Sequence, residues 1–260
     1  MNIHYIWIDF KNEQNRSPSI PANFRRKIDN CARINPTFTV KLWNGYDCRQ
    51  LLVEKFPQYL QLYDSMPYPI MRCDMIRYFI LYEQGGFYLD CDRTCQLPFQ
   101  ELVKDSPDVL LGKKTYFMID GVGNDFIYAK KGSDFMKYCF ERIKLRKSFI
   151  HSLTVLRTAG PMFLTEQYEN YRGPDKIKVL SKEVNGCGFC ACDMDISQAY
   201  TYGDLSTTAW NDGLDRIYRK LYCNWFVILA VILIAYFIYK YWACRTGCAE
   251  ACSINRYKRK

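Results

Sequence analysis

The chain has 260 residues, 49% of them apolar and 16% aromatic, and a net charge of +9. Apolar content at that level excludes a disordered chain, and the length allows one sizeable domain with an appendage. Residues 223–260 hold six Lys/Arg against one Glu, so +5 of the charge lies in the tail. The rest lacks the concentrated basic stripe of a nucleic-acid binder, and no nucleic-acid partner is expected.

Ile3-His4-Tyr5-Ile6-Trp7-Ile8 reads as a buried first strand that follows Met1 without a secretory leader. His4 is expected to be structural, because a strand histidine is more often a satisfied core residue than a catalyst. Pro18 to Pro21 form a turn into a helix from about Asn23 to Ile34. The alternation from Phe38 to Trp43 predicts a second strand, ended by Asn44-Gly45, with helices over roughly 47–65. If the first helix crosses over, the two strands are parallel, the order of an α/β domain.

Tyr68 to Cys95 is the most informative stretch. Pro69 suits the first turn of a helix, and apolar residues from Ile70 to Gln84 recur on most sides of it, so the helix should be largely buried. Asp74 and Arg77 nevertheless sit inside it, three apart and so on one face. Buried charges are costly unless paired or bound. Gly85-Gly86 stop the helix, Phe87-Tyr88-Leu89 form a short strand, and Asp90-Cys91-Asp92 follow where the strand ends. Open α/β sheets bind ligands at the carboxyl ends of their strands. Two carboxylates one residue apart there suit a hard divalent ion and, through it, a phosphate. Taken alone, Asp-x-Asp is also an ordinary solvated turn.

Beyond it, Val109-Leu110-Leu111 and Tyr116-Phe117-Met118 read as strands, and Gly121 to Tyr128 as a Gly/Asn/Asp turn or a binding segment. Lys130-Lys131 reads as a solvated turn, and a helix is expected from about Ser133 to Lys147. Thr158-Ala159-Gly160-Pro161 should start another helix. Short strands are expected within 177–203. Cys187, Cys190 and Cys192 are spaced as zinc ligands, but the histidines are only His4 and His151, so a four-ligand zinc site is not expected. Most of the thirteen cysteines are expected to be free thiols in a reducing compartment.

Trp225 to Ala243 is a run of 19 residues with one charge, Lys240. As a helix it would span about 28 Å, close to the ~30 Å hydrocarbon core, with Trp225 at one end and Tyr239, Tyr241 and Trp242 at the other as interfacial anchors. A single membrane pass is predicted. Basic residues flank both ends; the heavier tail favours a cytosolic C-terminus, whereas an unled N-terminal domain favours a cytosolic domain, the orientation preferred here. Cys244, Cys248 and Cys252 read as sites of acylation or interchain pairing, or as unmodified thiols.

The run Arg72-x-Asp74-x-x-Arg77-Tyr78, followed by Leu81-Tyr82, Gly85-Gly86 and Tyr88-x-Asp90-x-Asp92, resembles the signature of the family-32 glycosyltransferases. These have a sugar-binding region containing an Asp-x-Asp motif and include mannosyltransferases acting on inositol phosphoceramide. The resemblance implies a GT-A-type α/β nucleotide-sugar-binding domain with a mixed sheet over residues 1–212, then a juxtamembrane segment 213–224, the membrane helix 225–243 and a Cys-containing basic tail 244–260. It further implies a nucleotide-diphosphate sugar donor (GDP-mannose or a UDP-hexose), Mn²⁺ or Mg²⁺, and transfer with retention of configuration.

By matching position, Asp92 binds the metal directly, and Asp90 contacts the ribose or sugar and reaches the metal through water. Asp74 and Arg77 hold sugar hydroxyls, Trp7 lies near the base, and Asn124-Asp125 lie near the sugar. Leu205 to Trp210 matches a Ser-Trp element near the diphosphate, but Ala209 stands in the serine position and no histidine is near. Thr208 or Ser206 is left to supply the hydroxyl, with Thr208 a metal ligand, and Trp210 to donate its indole N–H. A glycolipid acceptor such as inositol phosphoceramide is favoured by the membrane helix. A glycan or protein acceptor, an inactive relative acting as a binding module, and a metal-dependent phosphate-ester hydrolase are the alternatives.

Overall fold

The computed structural model describes residues 1–116, 119–185, 197–203, 221 and 224–245. The chain forms two compact units, Met1–Trp210 and Asn211–Lys260.

The first unit begins with β1 (Asn2–Ile6), α1 (Ala22–Ile34), β2 (Thr39–Trp43), α2 (Gly45–Lys55) and α3 (Leu60–Asp64). It continues through α4 (Pro69–Gln84), β3 (Gly86–Leu89), β4 (Arg93–Cys95), β5 (Val109–Tyr116), β6 (Ile119–Ala129), α5 (Asp134–Phe140) and α6 (His151–Thr158). The last elements are α7 (Pro161–Asn170), β7 (Ile177–Leu180), α8 (Lys182–Asn185) and β8 (Thr201–Gly203). Six strands make one mixed sheet in the order β2-β1-β3-β6-β5-β7, and β4 pairs with β8 separately. Strands β1, β2 and β3 are parallel, β6 runs against both β3 and β5, and β7 is parallel to β5. Only β6 therefore runs opposite to the other five. The mixed α/β sheet expected from the sequence is present.

Both faces of the sheet are covered, so side chains alternate between two apolar layers. Ile3, Tyr5, Phe87, Leu89, Leu110, Phe126 and Tyr128 face a layer with Ile28 and Cys31 of α1. Tyr88, Val109, Leu111, Ile127 and Ala129 face the layer built around α4. The α4–β3 junction needs glycine twice. Gly85 has φ 64° and Gly86 φ 103°, and a Cβ on Gly86 would lie 2.3 Å from the Asn2 carbonyl oxygen. His4 is structural, as expected. Its Nδ1 accepts the Trp43 indole N–H at 3.1 Å, so Nε2 carries the proton and donates to the Gly85 carbonyl at 2.9 Å. Burial pushes its pKa down to about 4, which keeps it neutral.

Several elements differ from expectation. Val109 to Tyr116 is one continuous strand paired with β6, not two short strands; Phe117 and Met118 lie outside the described residues. Gly121 to Tyr128 is not a turn but the body of β6. Gly/Asn/Asp content suggests a turn only while the partner strands are unknown; here β5 pairs with Ile119–Gly123 and again with Ile127–Ala129, β3 pairs with Phe126–Ala129, and Asn124-Asp125 sit at the bulge between. Helix α5 stops at Phe140 rather than near Lys147, where Arg142, Lys144, Arg146 and Lys147 would crowd like charges in one helix. The Arg146 N–H instead donates to Thr158 Oγ1 at 3.1 Å. Helix α6 and strand β4 are too short to show a period in the sequence.

The cysteine reading needs correction. Cys31 and Cys95 form a disulfide with Cα atoms 5.0 Å apart, fastening α1 to β4. Cys48, Cys73, Cys91 and Cys139 are buried free thiols, as expected of most. The pair is separated by 64 positions and so could not be read from local spacing. Cys187, Cys190, Cys192, Cys248 and Cys252 lie outside the described residues.

The second unit contains the helix Trp225–Arg245. Its Trp225–Trp242 window has mean hydropathy 1.9 and none of it is buried in the protein, so by length and composition this helix can cross a membrane.

Replacing Cys31 and Cys95 together by Ser should cost about 2–4 kcal/mol, or roughly 5–15 °C in Tm. Thermal unfolding of the detergent-solubilised chain checks this, and reducing agent should lower the wild-type midpoint toward the variant's without changing the variant.

Candidate active site

Parallel β1 and β3 end on the same edge of the sheet, and the turn after β3 is tied back to β1 by the Cys91 thiol, which donates to the Ile6 carbonyl at 3.3 Å. Asp90 follows β3 directly. Its N–H donates to the Asp125 carbonyl at 3.0 Å, and its own carbonyl accepts the Arg93 N–H at 3.0 Å, closing a tight turn around Cys91-Asp92. The Lys27 ammonium on α1 donates to the Asp92 carbonyl at 2.6 Å. The Asp-x-Asp backbone is thus held from β1, β6 and α1 together.

Beneath the turn lies a buried charge network. Arg77, in the middle of α4, is 2% exposed, and Asp74 one turn earlier is 6% exposed. The Arg77 Nη2 meets Asp74 Oδ1 at 2.6 Å, and Nη1 lies 3.4 Å from Asp90 Oδ1 and donates to the Asn124 carbonyl. The Asn124 amide donates to the same Asp74 oxygen at 3.0 Å. Tyr88 donates its hydroxyl to Asp90 Oδ1 at 2.6 Å, and its ring lies 4.5 Å from the Arg77 guanidinium carbon. Both buried charges of the apolar helix, Asp74 and Arg77, therefore have partners, which is the condition for leaving them there.

Burial pushes Asp74 up to about 6; Arg77 pulls the other way, and Asp90 adds to the rise. At pH 7 the carboxylate is ionised. Burial alone would weaken the charge on Arg77, but Tyr88, Asp74 and Asp90 hold it firmly protonated. Burial raises the Tyr88 phenol well above its ordinary value, so it stays a donor.

Among the described residues no hydrogen bond reaches Oδ2 of Asp74 or Oδ2 of Asp90, and Oδ1 of the flanking Asp125 is buried without a partner. The Asp90 side chain is 34% exposed, and Asp92 is half-buried beside it. Hard oxygen donors at a strand end fit a divalent cation such as Mn²⁺ or Mg²⁺. Asp90 and Asp92 would hold it; no cluster of three potential ligands occurs among the described residues, and Thr208 lies outside them.

A second network supports the turn from the far side. Arg93 is fully buried. Its Nη1 meets Asp125 Oδ2 at 2.5 Å, Nε donates to Thr201 Oγ1 at 3.2 Å, and Nη2 donates to the Thr201 carbonyl at 3.0 Å and to Asn185. Lys114 on β5 pairs with the same Asp125 oxygen. Burial alone would raise the Asp125 carboxyl, but Lys114 and Arg93 beside it hold it well below the usual range. A Cβ on Gly123 would lie 2.6 Å from Asp125 Oδ1, so the strand is glycine where this carboxylate is tucked in.

Of the residues singled out in the sequence, Asp74, Arg77, Asp90 and Asn124 converge in one hydrogen-bonded cluster, with Asp92 and Asp125 flanking it. Asn124 and Asp125 direct their side chains into the protein's own networks. Trp7 follows β1 on the same edge; its indole N–H donates to the Ser19 carbonyl at 3.1 Å and its ring packs 5.3 Å from that of Phe24, half-buried. Trp210 lies outside the described residues. Arg93, Lys114, Lys27 and the Tyr88 hydroxyl were not singled out. For Arg93 a signal existed, a basic residue directly after Asp-x-Asp; for Lys114 and Lys27 the partners are set only by tertiary pairing.

Asp125→Asn should destabilise the domain by about 3–5 kcal/mol at pH 7, because Arg93 and Lys114 lose their counter-charge. The folded-state pKa of Asp125 lies below the unfolded value near 3.9, so its contribution is complete above that value and is lost as pH falls below it. Denaturation of wild type and variant across this range should show the gap shrinking only below about pH 4.

Residues 21–110 match the family model for the glycosyltransferase sugar-binding region containing DXD motif. Inositol phosphoceramide mannosyltransferase 3 of Schizosaccharomyces pombe is 28% identical over 172 residues, 65% of this chain; the chain spans 45% of that protein's length. An uncharacterized glycosyltransferase of Acanthamoeba polyphaga mimivirus is 30% identical over 196 residues, 71% of this chain and 72% of that protein. Among solved structures, a glycosyltransferase involved in the glycosylation of the major capsid of PBCV-1 aligns over 85% of this chain and 98% of its own at 12% identity, with a TM-score of 0.47, too loose a likeness to carry weight. The matched segment contains α4, β3 and the Asp90–Asp92 turn, and the match to the mimivirus protein extends over most of both chains: this chain belongs to the glycosyltransferases whose sugar-binding region contains the DXD motif.

Proposed function

We propose that the chain is a membrane-anchored, metal-dependent retaining glycosyltransferase that moves mannose from GDP-mannose to a glycolipid acceptor such as inositol phosphoceramide. The observation that carries the reading is Asp90 at the carboxyl end of β3, with one oxygen held by Tyr88 and Arg77 and the other without a partner among the described residues. The curated relative named for inositol phosphoceramide mannosylation supports the sugar and the acceptor, and the apolar C-terminal helix supports a lipid substrate.

In this reading Asp92 and Asp90 hold Mn²⁺ or Mg²⁺, which when bound neutralises charge on the leaving diphosphate. The chain's own residues prepare the site. Arg77 and Tyr88 fix the rotamer of Asp90, so no reorganisation is needed when the donor arrives. The second oxygen of Asp74 accepts from a sugar hydroxyl, while Arg77 and Asn124 hold its first oxygen in place. Trp7 offers a ring face at the strand edge for the base. Asn124 and Asp125 shape the sugar pocket by positioning Asp74 and Asp90. Trp210 and Thr208, outside the described residues, are assigned to the diphosphate side by their match to the family's Ser-Trp element alone. The leaving phosphate oxygen takes the acceptor's proton, so no side-chain base is assigned.

The Cys31–Cys95 disulfide favours an oxidising compartment for the domain, with the basic tail cytosolic. This reverses the orientation preferred from the sequence. The altered Ser-Trp element at Ala209 favours one other reading, a relative that binds the donor without transferring sugar.

The test uses the full chain in detergent with Mn²⁺, GDP-mannose or a UDP-hexose, and an inositol phosphoceramide, glycan or peptide acceptor. GDP-mannose with the lipid should give metal-dependent product, and Asp92→Asn should lower the rate by about a hundredfold or more. Binding without product under every condition selects the binding-module reading. Trp7→Ala should raise the donor KM about tenfold with little change in kcat, since stacking contributes ~1–3 kcal/mol per base. Rates should fall as pH drops through about 6, where Asp74 takes up its proton.

A further inference from the structure

Phe149 is completely exposed and Ile150 is 56% exposed, side by side on the irregular segment before α6. Two adjacent large apolar side chains held in water are unusual when the same segment is pinned on both sides. Here the Ser148 N–H donates to Thr154 Oγ1 at 2.9 Å, and that hydroxyl donates to the Ser148 carbonyl at 3.3 Å. Arg146 is anchored to Thr158 and to Glu166. The segment is thus built to present its tip outward. Lys144 and Lys147 next to it are exposed and have no carboxylate partner among the described residues.

The tip stands on the carboxyl-edge side of the sheet. His151, the first residue of α6, stacks on Tyr68 with ring centroids 3.6 Å apart. Tyr68 immediately precedes α4, and Arg72 one turn later pairs with Glu13 in the segment that leaves β1 at that edge.

We propose that Phe149 and Ile150, flanked by Lys144 and Lys147, form a membrane-dipping finger that seats the mouth of the site on a bilayer surface made anionic by inositol phosphate headgroups. An aromatic and an aliphatic side chain beside basic residues are the composition that inserts at the headgroup boundary. Two side chains are far too little apolar area for a stable protein interface, which buries about 800 Å² per partner. The same chain carries a helix able to cross a membrane, so a bilayer is a surface this chain is suited to meet. The inference rests on the lipid-acceptor reading and deepens it: an acceptor whose headgroup stays at the bilayer surface is reached only if the site is held there.

The test places the photoreactive residue benzoylphenylalanine at Phe149, and in a control chain at Val53, which is 39% exposed on α2. Each full chain is reconstituted in phosphatidylcholine vesicles with or without phosphatidylinositol, irradiated and analysed by mass spectrometry. The position-149 chain should give about fivefold or more lipid adduct than the position-53 chain, and more with phosphatidylinositol present. Equal adduct at the two positions, or crosslinks from 149 to protein instead of lipid, would overturn the proposal. In parallel, Phe149→Ser with Ile150→Ser should slow transfer to vesicle-embedded acceptor about fivefold while leaving transfer to a water-soluble inositol phosphate headgroup unchanged. Mannosyl transfer without excess adduct at 149 refutes the finger and spares the enzyme; adduct without transfer to any acceptor does the reverse.

Discussion

The structure depends on a guanidinium buried in an apolar helix. Arg77 could not remain inside α4 alone, because an unpaired buried charge costs several kcal/mol. Asp74 from its own helix, the Asn124 carbonyl from β6 and the Asp90 carboxylate after β3 together satisfy it. The same bonds that make the charge tolerable also decide where Asp90 points. Helix, strand and antiparallel neighbour are therefore held in register by a polar cluster at the edge where open α/β sheets bind their ligands.

A second buried arginine does the same work on the other side of the turn. Arg93 reaches Asp125, Thr201 and Asn185, so it joins the six-stranded sheet to the small β4–β8 pair. Lys114 adds a second positive charge to Asp125, and the Cys31–Cys95 disulfide ties α1 to the strand carrying Arg93. Between these two anchors the Asp90–Asp92 turn has little freedom. Rigidity of that kind suits a site whose main task is electrostatic, since dipoles and charges already in place need no rearrangement as the leaving group develops charge.

Much of this was legible in the sequence because local rules and tertiary roles agreed. Pro69 opening α4, Gly85-Gly86 closing it, and two Asp at the end of a short apolar strand each have a local cause, and the odd placement of Asp74 and Arg77 in an apolar helix pointed to their pairing. The illegible parts have their cause elsewhere in the chain. Asn124-Asp125 sits in a Gly-rich run that reads as a turn and is a bulge inside β6, set by partner strands far away in the sequence. Arg93 and Lys114 meet Asp125 only through tertiary packing, and Cys31 finds Cys95 across 64 positions. Helix α5 ends early because the charges after Phe140 repel one another, a point that residue-type periodicity alone does not weigh.

The most direct measurement of the central claim is calorimetric binding of GDP to the full chain, with and without Mn²⁺, in wild type and Arg77→Lys. Lysine keeps the charge but lacks the planar fork that engages Asp74 and Asp90 together. The account predicts that wild type binds GDP only with Mn²⁺, and that Arg77→Lys weakens this binding by about tenfold or more while the folded chain keeps its helical content. Equal Mn²⁺-dependent affinity in the two proteins would contradict it, for Asp90 would then be aimed by something other than the buried arginine.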